Sequence, residues 1–172
     1  MNLEIQEEWL DVVNEHDEVV DRKSRTDFYA QNLSYFRAVN GFVKNSKGQL
    51  WIPRRTAHKK LFPLCLDSSV GGHVQSGETY EAAFARETQE EILYDVQNLS
   101  ITYLGYLTPH QGLAAFMKVY EIALDEVSHY NTNDFSECMW IYPEELYHAL
   151  QHGEKSKTDL PLLLQHLYIK RP

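Results

Sequence analysis

The stretch "GGHVQSGETYEAAFARETQEEIL", residues 71–93, crowds five glutamates and one arginine behind a pair of glycines. From Glu78 to about Leu93 the pattern is helical, with Ala82, Ala85 and Ile92 placed to face a core and Phe84 nearby. Ser76 or Gly77 is the expected helix start, and Glu78 would stand near its positive end. On that helix Glu87, Glu90 and Glu91 stand at roughly 0°, 300° and 40°, so they share one face. Like charges one turn apart repel by a few tenths of a kcal/mol per pair, about 0.2–0.5. Solvent can absorb that cost. A hard divalent cation can instead turn it into coordination, because Mg²⁺ and Ca²⁺ favour carboxylate oxygens. Arg86, four residues before Glu90, can hold part of the acidic face in place, and Gly71 and Gly72 permit a tight turn and close approach of a ligand.

The rest of the chain sets bounds on this helix. It has 172 residues, of which 43% are hydrophobic, enough for one domain with a sizeable core. The formal charge is −9, with a pI near 5.3. That balance argues against non-specific nucleic-acid binding and against a membrane-surface role. It leaves anionic substrates open, since a bound cation can reverse the sign of a local site. Cys65 and Cys138 are too few and too far apart for a disulfide framework or a zinc cluster. The acidic N-terminus lacks the features of a signal peptide, and no apolar run approaches membrane-spanning length, so a cytoplasmic location is expected.

No linker or repeat divides the chain. "WLDVVNEHDEVVDRKSR" reads as an N-terminal hairpin within residues 1–30, and it is the candidate surface for a homodimer. "YFRAVNGFVKNSKGQLWIPRR" reads as a second strand pair around the turn "NSKG". The segment "RRTAHKKLFPL" has loop character, and "LDSSVGGHV" is short and ends in glycines. "LSITYLGYLT" and "LAAFMKVYEIAL" read as strands. "CMWIYPEEL" is a strand running into a helix that Pro143 begins, and residues 159–170 form a last helix. Strands before, between and after helices indicate an α/β (α+β) fold with a mixed sheet and helices packed on it.

The spacing Gly72, five residues, Glu78, seven residues, Arg86-Glu87, two residues, Glu90-Glu91 resembles the Nudix box, G-x5-E-x7-R-E-U-x-E-E-x-G-U, where U is bulky and apolar. Thr88 departs from the pattern at its first apolar place, and Leu93 replaces its last glycine. "NGFVKNSKGQLWIPRR" is similar to the family's leading strands and "CMWIYPEEL" to its usual ending, which gives a core over residues 34–150. The resemblance implies an α/β/α sandwich with a mixed β-sheet, in a single domain over residues 1–172. It also implies Mg²⁺ or Mn²⁺ on the box helix, and hydrolysis of a diphosphate linked to another group in a small molecule. Carried over, Glu87 and Glu91 would be the main metal ligands with Glu90 assisting. Gly71 would supply a carbonyl, and Arg86 would orient the glutamates.

"RRTAHKKLFPLCLDSSVGGHVQSGE" is also similar to the matching part of type 1 isopentenyl diphosphate isomerase, a Nudix relative. There a basic segment holds the diphosphate, a role that would fall here to Arg55 and Lys60, with Arg54 and Lys59 beside them. His73 matches a metal-binding histidine of that enzyme, though a structural histidine fits its position as well. The isomerase needs a cysteine where this chain has Gly71, and glutamates on a later strand, whereas Leu104 to Tyr120 contains no carboxylate. Hydrolysis of a diphosphate is therefore the leading expectation, ahead of isomerisation and of a non-catalytic module that binds a phosphorylated ligand. Glu90 is one candidate general base, and Asp134 and Glu137 are others. His58 and His110 are weaker candidates near the substrate.

Overall fold

The structure, a computed structural model, describes residues 7–169. It opens on a hairpin, β1 (Trp9–Val13) and β2 (Val19–Ser24), followed by a short helix α1 (Arg25–Ala30). The main strands are β3 (Arg37–Lys44), β4 (Leu50–Arg55), β5 (Val70–His73), β6 (Ser100–Leu107), β7 (Phe116–Ala123) and β8 (Phe135–Ile141). The remaining helices are α2 (Tyr80–Glu91), α3 (Pro143–Gln151) and α4 (Leu160–Leu167). The sheet runs β6-β7-β3-β4-β8, with β5 attached to β3. Among these pairs only β3 and β7 run parallel, so the sheet is mixed.

Strand β3 splits its partners on one side. Residues Ala38–Gly41 pair with β5, and Val43 and Lys44 pair with β4. At the split, the buried Ser69 hydroxyl accepts from Val43 N–H at 2.8 Å and donates to the Trp51 carbonyl at 2.5 Å. The sheet's two faces follow the period of a strand. Ala38, Phe42, Leu50, Ile52, Met117 and Val119 pack with Leu146 of α3 and Leu160, Leu163 and Leu164 of α4. Val39, Val43, Trp51, Val70 and Ile122 pack on the other face with Ala83 and Phe84 of α2. Fully burying each such side chain contributes about 1.5–3 kcal/mol, so this alternation fixes the register. The result is the expected α/β/α sandwich. At Gly41 helix and sheet meet closely, since a Cβ there would fall 2.7 Å from the Phe84 ring.

Three local expectations are corrected. Helix α2 starts after Thr79, not at Ser76 or Gly77. Gly77 sits at φ +85° in a turn, and the Thr79 hydroxyl caps Ala82 N–H at 3.1 Å. Ala82 is exposed, and Ala83 and Phe84 take the core positions. The N-terminal extension is a hairpin followed by a helix, α1, whose N-cap Ser24 accepts from Asp27 N–H at 3.1 Å. Residues 1–6 of the expected extension, and residue 170 of the last helix, lie outside the described residues.

Candidate functional site

The packing of α2 on β5 decides what its acids can do. Glu87 and Glu91 lie on the sheet side of the helix and are each only 8% exposed. The Glu91 carboxylate accepts from Gly71 N–H at 2.7 Å. Glu87 lies over Gly72, in space that a side chain there would fill. Glu90, expected on the same face, sits at its solvent edge with its side chain 55% exposed. The helical angle brings the three acids onto one arc, but only two of them face the strand. Among the described residues no three His, Cys, Asp or Glu side chains form a ready metal-ligand cluster.

Arg86 organises this end of the helix. It bonds both oxygens of Glu78, at 2.8 and 2.9 Å, Glu87 at 2.6 Å and the His73 carbonyl at 3.0 Å, with Glu90 at 3.5 Å. Its guanidinium holds Glu78 below the usual carboxylate range. Glu87 behaves differently. Burial pushes its carboxyl up to about 7 against the pull of Arg86. Burial also raises Glu91, reinforced by Glu87 and Asp67. Ionised together, these two buried carboxylates would carry more negative charge than Arg86 and one backbone N–H neutralise, which is why each holds its proton more tightly than a free carboxyl. A hard divalent cation fits that deficit. Mg²⁺ commonly takes one or two carboxylates and completes its shell with water and substrate phosphate.

His73 follows on the same strand. Tyr29 of α1 meets its Nε2 at 2.8 Å, and Glu8 stands 3.7 Å from Nδ1. Burial, with Arg25, Lys157 and Arg86 around it, lowers its pKa to about 3, so it is neutral.

The four basic residues expected at the diphosphate separate. Arg54 bonds Glu137, Glu154 and the Leu64 carbonyl. Arg55 bonds Asp67 at 2.8 Å and the Leu61 carbonyl. Both guanidinium groups thus brace the 56–67 loop. Lys59 pairs with Asp134. Lys59 and Lys60 line an open cleft of 830 Å³ with Arg25, Tyr29 and His58. Of the other candidate bases, Glu137 and Asp134 are the partners of Arg54 and Lys59. His110 is exposed in a short turn, Pro109–Gln111.

A second cavity, of 310 Å³, opens beside Gly72 and His73. Sequence reading missed its charged wall. Lys157 reaches Asp67 at 3.2 Å and Asp159 at 3.7 Å. The segment arrives there because Leu66 N–H donates to the Lys155 carbonyl at 2.8 Å and Lys157 N–H donates to Leu66 at 2.9 Å. No local pattern links residues so far apart in the chain.

A mixed sheet between helical layers, with a glycine strand under a glutamate-bearing helix, defines a class of enzymes that handle phosphate groups with the help of a divalent ion. Comparison with known proteins supplies the family. The NUDIX domain profile matches residues 34–163. An uncharacterized Nudix hydrolase of Nostoc sp. is 54% identical over 162 residues, which cover 94% of this chain and 96% of the relative. A Nudix hydrolase of Deinococcus radiodurans is 48% identical over 165 residues, 95% of this chain and 96% of its own. The crystal structure of DR0079 from D. radiodurans superposes with a TM-score of 0.89 at 48% identity, covering 94% of this chain and all of that one. The MutT protein of Methanosarcina mazei, at 17% identity and a TM-score of 0.61, covering 77% of this chain and 92% of its own, shares the fold. The chain belongs to the Nudix family. It is a hydrolase of pyrophosphate bonds in small molecules, in a family that uses divalent metal ions. Among the described residues no helix is long and apolar enough to cross a membrane.

Proposed function

We propose that the protein is a Mg²⁺-dependent hydrolase that cleaves a diphosphate bond in a small metabolite, such as a nucleoside diphosphate linked to another group. The observation that carries this reading is the pair of buried carboxylates, Glu87 and Glu91, pressed against Gly71 and Gly72 with too little positive charge around them. Glu87 and Glu91 would hold the cation, with the Gly71 carbonyl as a further ligand and Mn²⁺ as a substitute ion. The bound ion would supply Lewis acidity and neutralise phosphate charge. Arg86 fixes the rotamer of Glu87 and ties the helix to β5 through the His73 carbonyl. Glu90, exposed and only loosely held by Arg86, is free to assist at the ion or to take a proton from the attacking water. Lys59 and Lys60 line the cleft through which an anionic substrate would arrive, while Arg54 and Arg55 hold the loop that carries them.

Isomerisation is less well supported. That reaction needs an acid–base group where Gly71 stands, and a Cβ there would meet Asn40 Oδ1 at 2.9 Å and Ser68 Oγ at 3.1 Å. The test is hydrolysis of a panel of diphosphates with and without Mg²⁺, read as the phosphomonoesters formed, or as inorganic phosphate where the substrate ends in a free phosphate. Wild type should form these products only with the ion, and Glu91→Gln should lose both that activity and Mn²⁺ binding measured by electron paramagnetic resonance. Equal activity in the two proteins would overturn the assignment.

A further inference from the structure

We propose that the 310 Å³ cavity is the subsite for the group carried by the diphosphate, that it takes a flat, uncharged ring, and that Tyr29 is its specificity-determining residue. This rests on the hydrolase reading for what the adjoining acidic site does. The cavity shares Gly72 with that site, so a group held in it stays in reach of Glu87. Its volume is at the small end for ligand pockets, which run from about 300 to 1,000 Å³. Phe36, Phe62, Leu113, Met117 and Leu162 line it. Lys157 and Asp159 also face it, but they pair with each other, and Asp67 behind Lys157 is matched by Arg55 at 2.8 Å, so the wall asks for no net charge on the ligand.

Tyr29 comes from outside the matched family region, which begins at residue 34. Its hydroxyl is held by His73, and its ring meets Phe28 and Phe36 edge-on at 5.8 and 6.4 Å. Yet the residue is 40% exposed and lines both cavities. A ring tethered by its hydroxyl, packed in T-shaped contacts with its neighbours, partly exposed and lining a hollow, can serve as a stacking platform. The segment that carries it is fastened to the Nudix core. Ser76 N–H donates to the Trp9 carbonyl at 2.7 Å, Val13 N–H to Tyr35 at 3.1 Å, and Arg37 Nε to Asp17 at 2.6 Å. The N-terminal hairpin and helix thus complete the wall of the substrate site.

The test uses the monobenzyl, monomethyl and mono-3-methylbut-3-enyl esters of methylenebisphosphonate, which cannot be hydrolysed at the bridge. Binding is measured by calorimetry with Mg²⁺, beside turnover of the matching diphosphates. Wild type should bind the benzyl ester at least about tenfold tighter than the methyl ester, in line with the worth of one aromatic stack, and tighter than the alkenyl ester. In Tyr29→Ala the benzyl-to-methyl ratio should fall to near one, with KM for benzyl diphosphate raised more than kcat is lowered. Tyr29→Phe should keep the ratio. A ratio unchanged in Tyr29→Ala, a preference for the alkenyl ester, or no binding of any ester would overturn the proposal. Ester selectivity without turnover of any diphosphate would sink the hydrolase reading and leave this subsite standing. Turnover without selectivity would do the reverse.

Discussion

The Glu87 carboxylate occupies the space that a side chain at residue 72 would need. A Cβ built on Gly72 would overlap it, with even the farther oxygen at 2.7 Å. The glycine of the box is therefore a seat for the glutamate fifteen residues later, on the facing helix. Gly72→Ala should leave the protein folded, because β5 needs no positive φ there, but it should push Glu87 off its strand. Misplacing a catalytic group by about 1 Å can cost about 100-fold in rate, and a loss of that order is expected with weakened Mn²⁺ affinity. Gly105→Ala, whose new methyl would meet only Leu167 at 3.9 Å, is the control that should keep activity. Parallel kinetics for the two variants would refute the seating argument.

Arg86 cannot be replaced by another cation. Its fork engages Glu78 with two bonds while reaching Glu87 and the His73 carbonyl. A lysine ammonium is a compact charge and cannot match that planar geometry. Arg86→Lys should lose about 1–3 kcal/mol of stability, the cost of partly buried charged hydrogen bonds left incomplete. It should also lower kcat by about tenfold with a smaller change in KM. Urea denaturation and steady-state kinetics read the two effects separately, and a variant as stable and as fast as wild type would contradict the role.

Leu93 stands where the family pattern has glycine, and it adopts φ +64° there. Its backbone shows why a glycine suits that place: the chain leaves α2 through a left-handed residue, with Ile92 N–H still bonded to the Thr88 carbonyl at 3.2 Å. A branched side chain in that conformation costs about 1–2 kcal/mol, offset in Leu93→Gly by the greater freedom of an unfolded glycine. Leu93 is 48% exposed, so little packing is lost. The variant should gain about 0.5–1 kcal/mol, which raises Tm by about 1–4 °C. A lower Tm would show that the leucine packs better than its exposure suggests.

What the sequence made legible follows from the range of each signal. The strand alternation, the "NSKG" turn and the box spacing are local, and the sheet and the acidic helix appear where those patterns lie. The facing of Glu87 and Glu91 toward β5 was legible only as an arc. Which side of the arc the sheet covers depends on Phe84 packing against Gly41, a tertiary contact. The same holds for the basic loop. "RRTAHKK" shows four cations in seven residues, but Arg54 and Arg55 are engaged by Glu137, Glu154 and Asp67 from other parts of the chain. Lys157 and Tyr29 carry no local mark at all. Both reach the site through backbone bonds made by distant segments.

Raised tyrosine pKa values give the stability a defined alkaline edge. Tyr168 donates to Glu121 at 2.9 Å, and burial followed by the Glu121 charge pushes its phenol well above its ordinary value. Tyr80, which donates to Asp17 at 3.0 Å, is raised in the same way by burial and by Asp17. An unfolded tyrosine loses its proton near pH 10. Above that pH the folded state holds more protons than the unfolded one, so the derivative of unfolding free energy with pH is negative. The stability these phenols protect is complete below about pH 10 and is lost as pH rises beyond it. Tyr168 alone can contribute a slope of up to about 1.4 kcal/mol per pH unit. Tyr168→Phe removes that proton while Lys44 still pairs with Glu121 at 3.3 Å. Urea midpoints measured from pH 9 to 11 should therefore fall less steeply in Tyr168→Phe than in wild type, and parallel lines would show that the phenol titrates alike in both states.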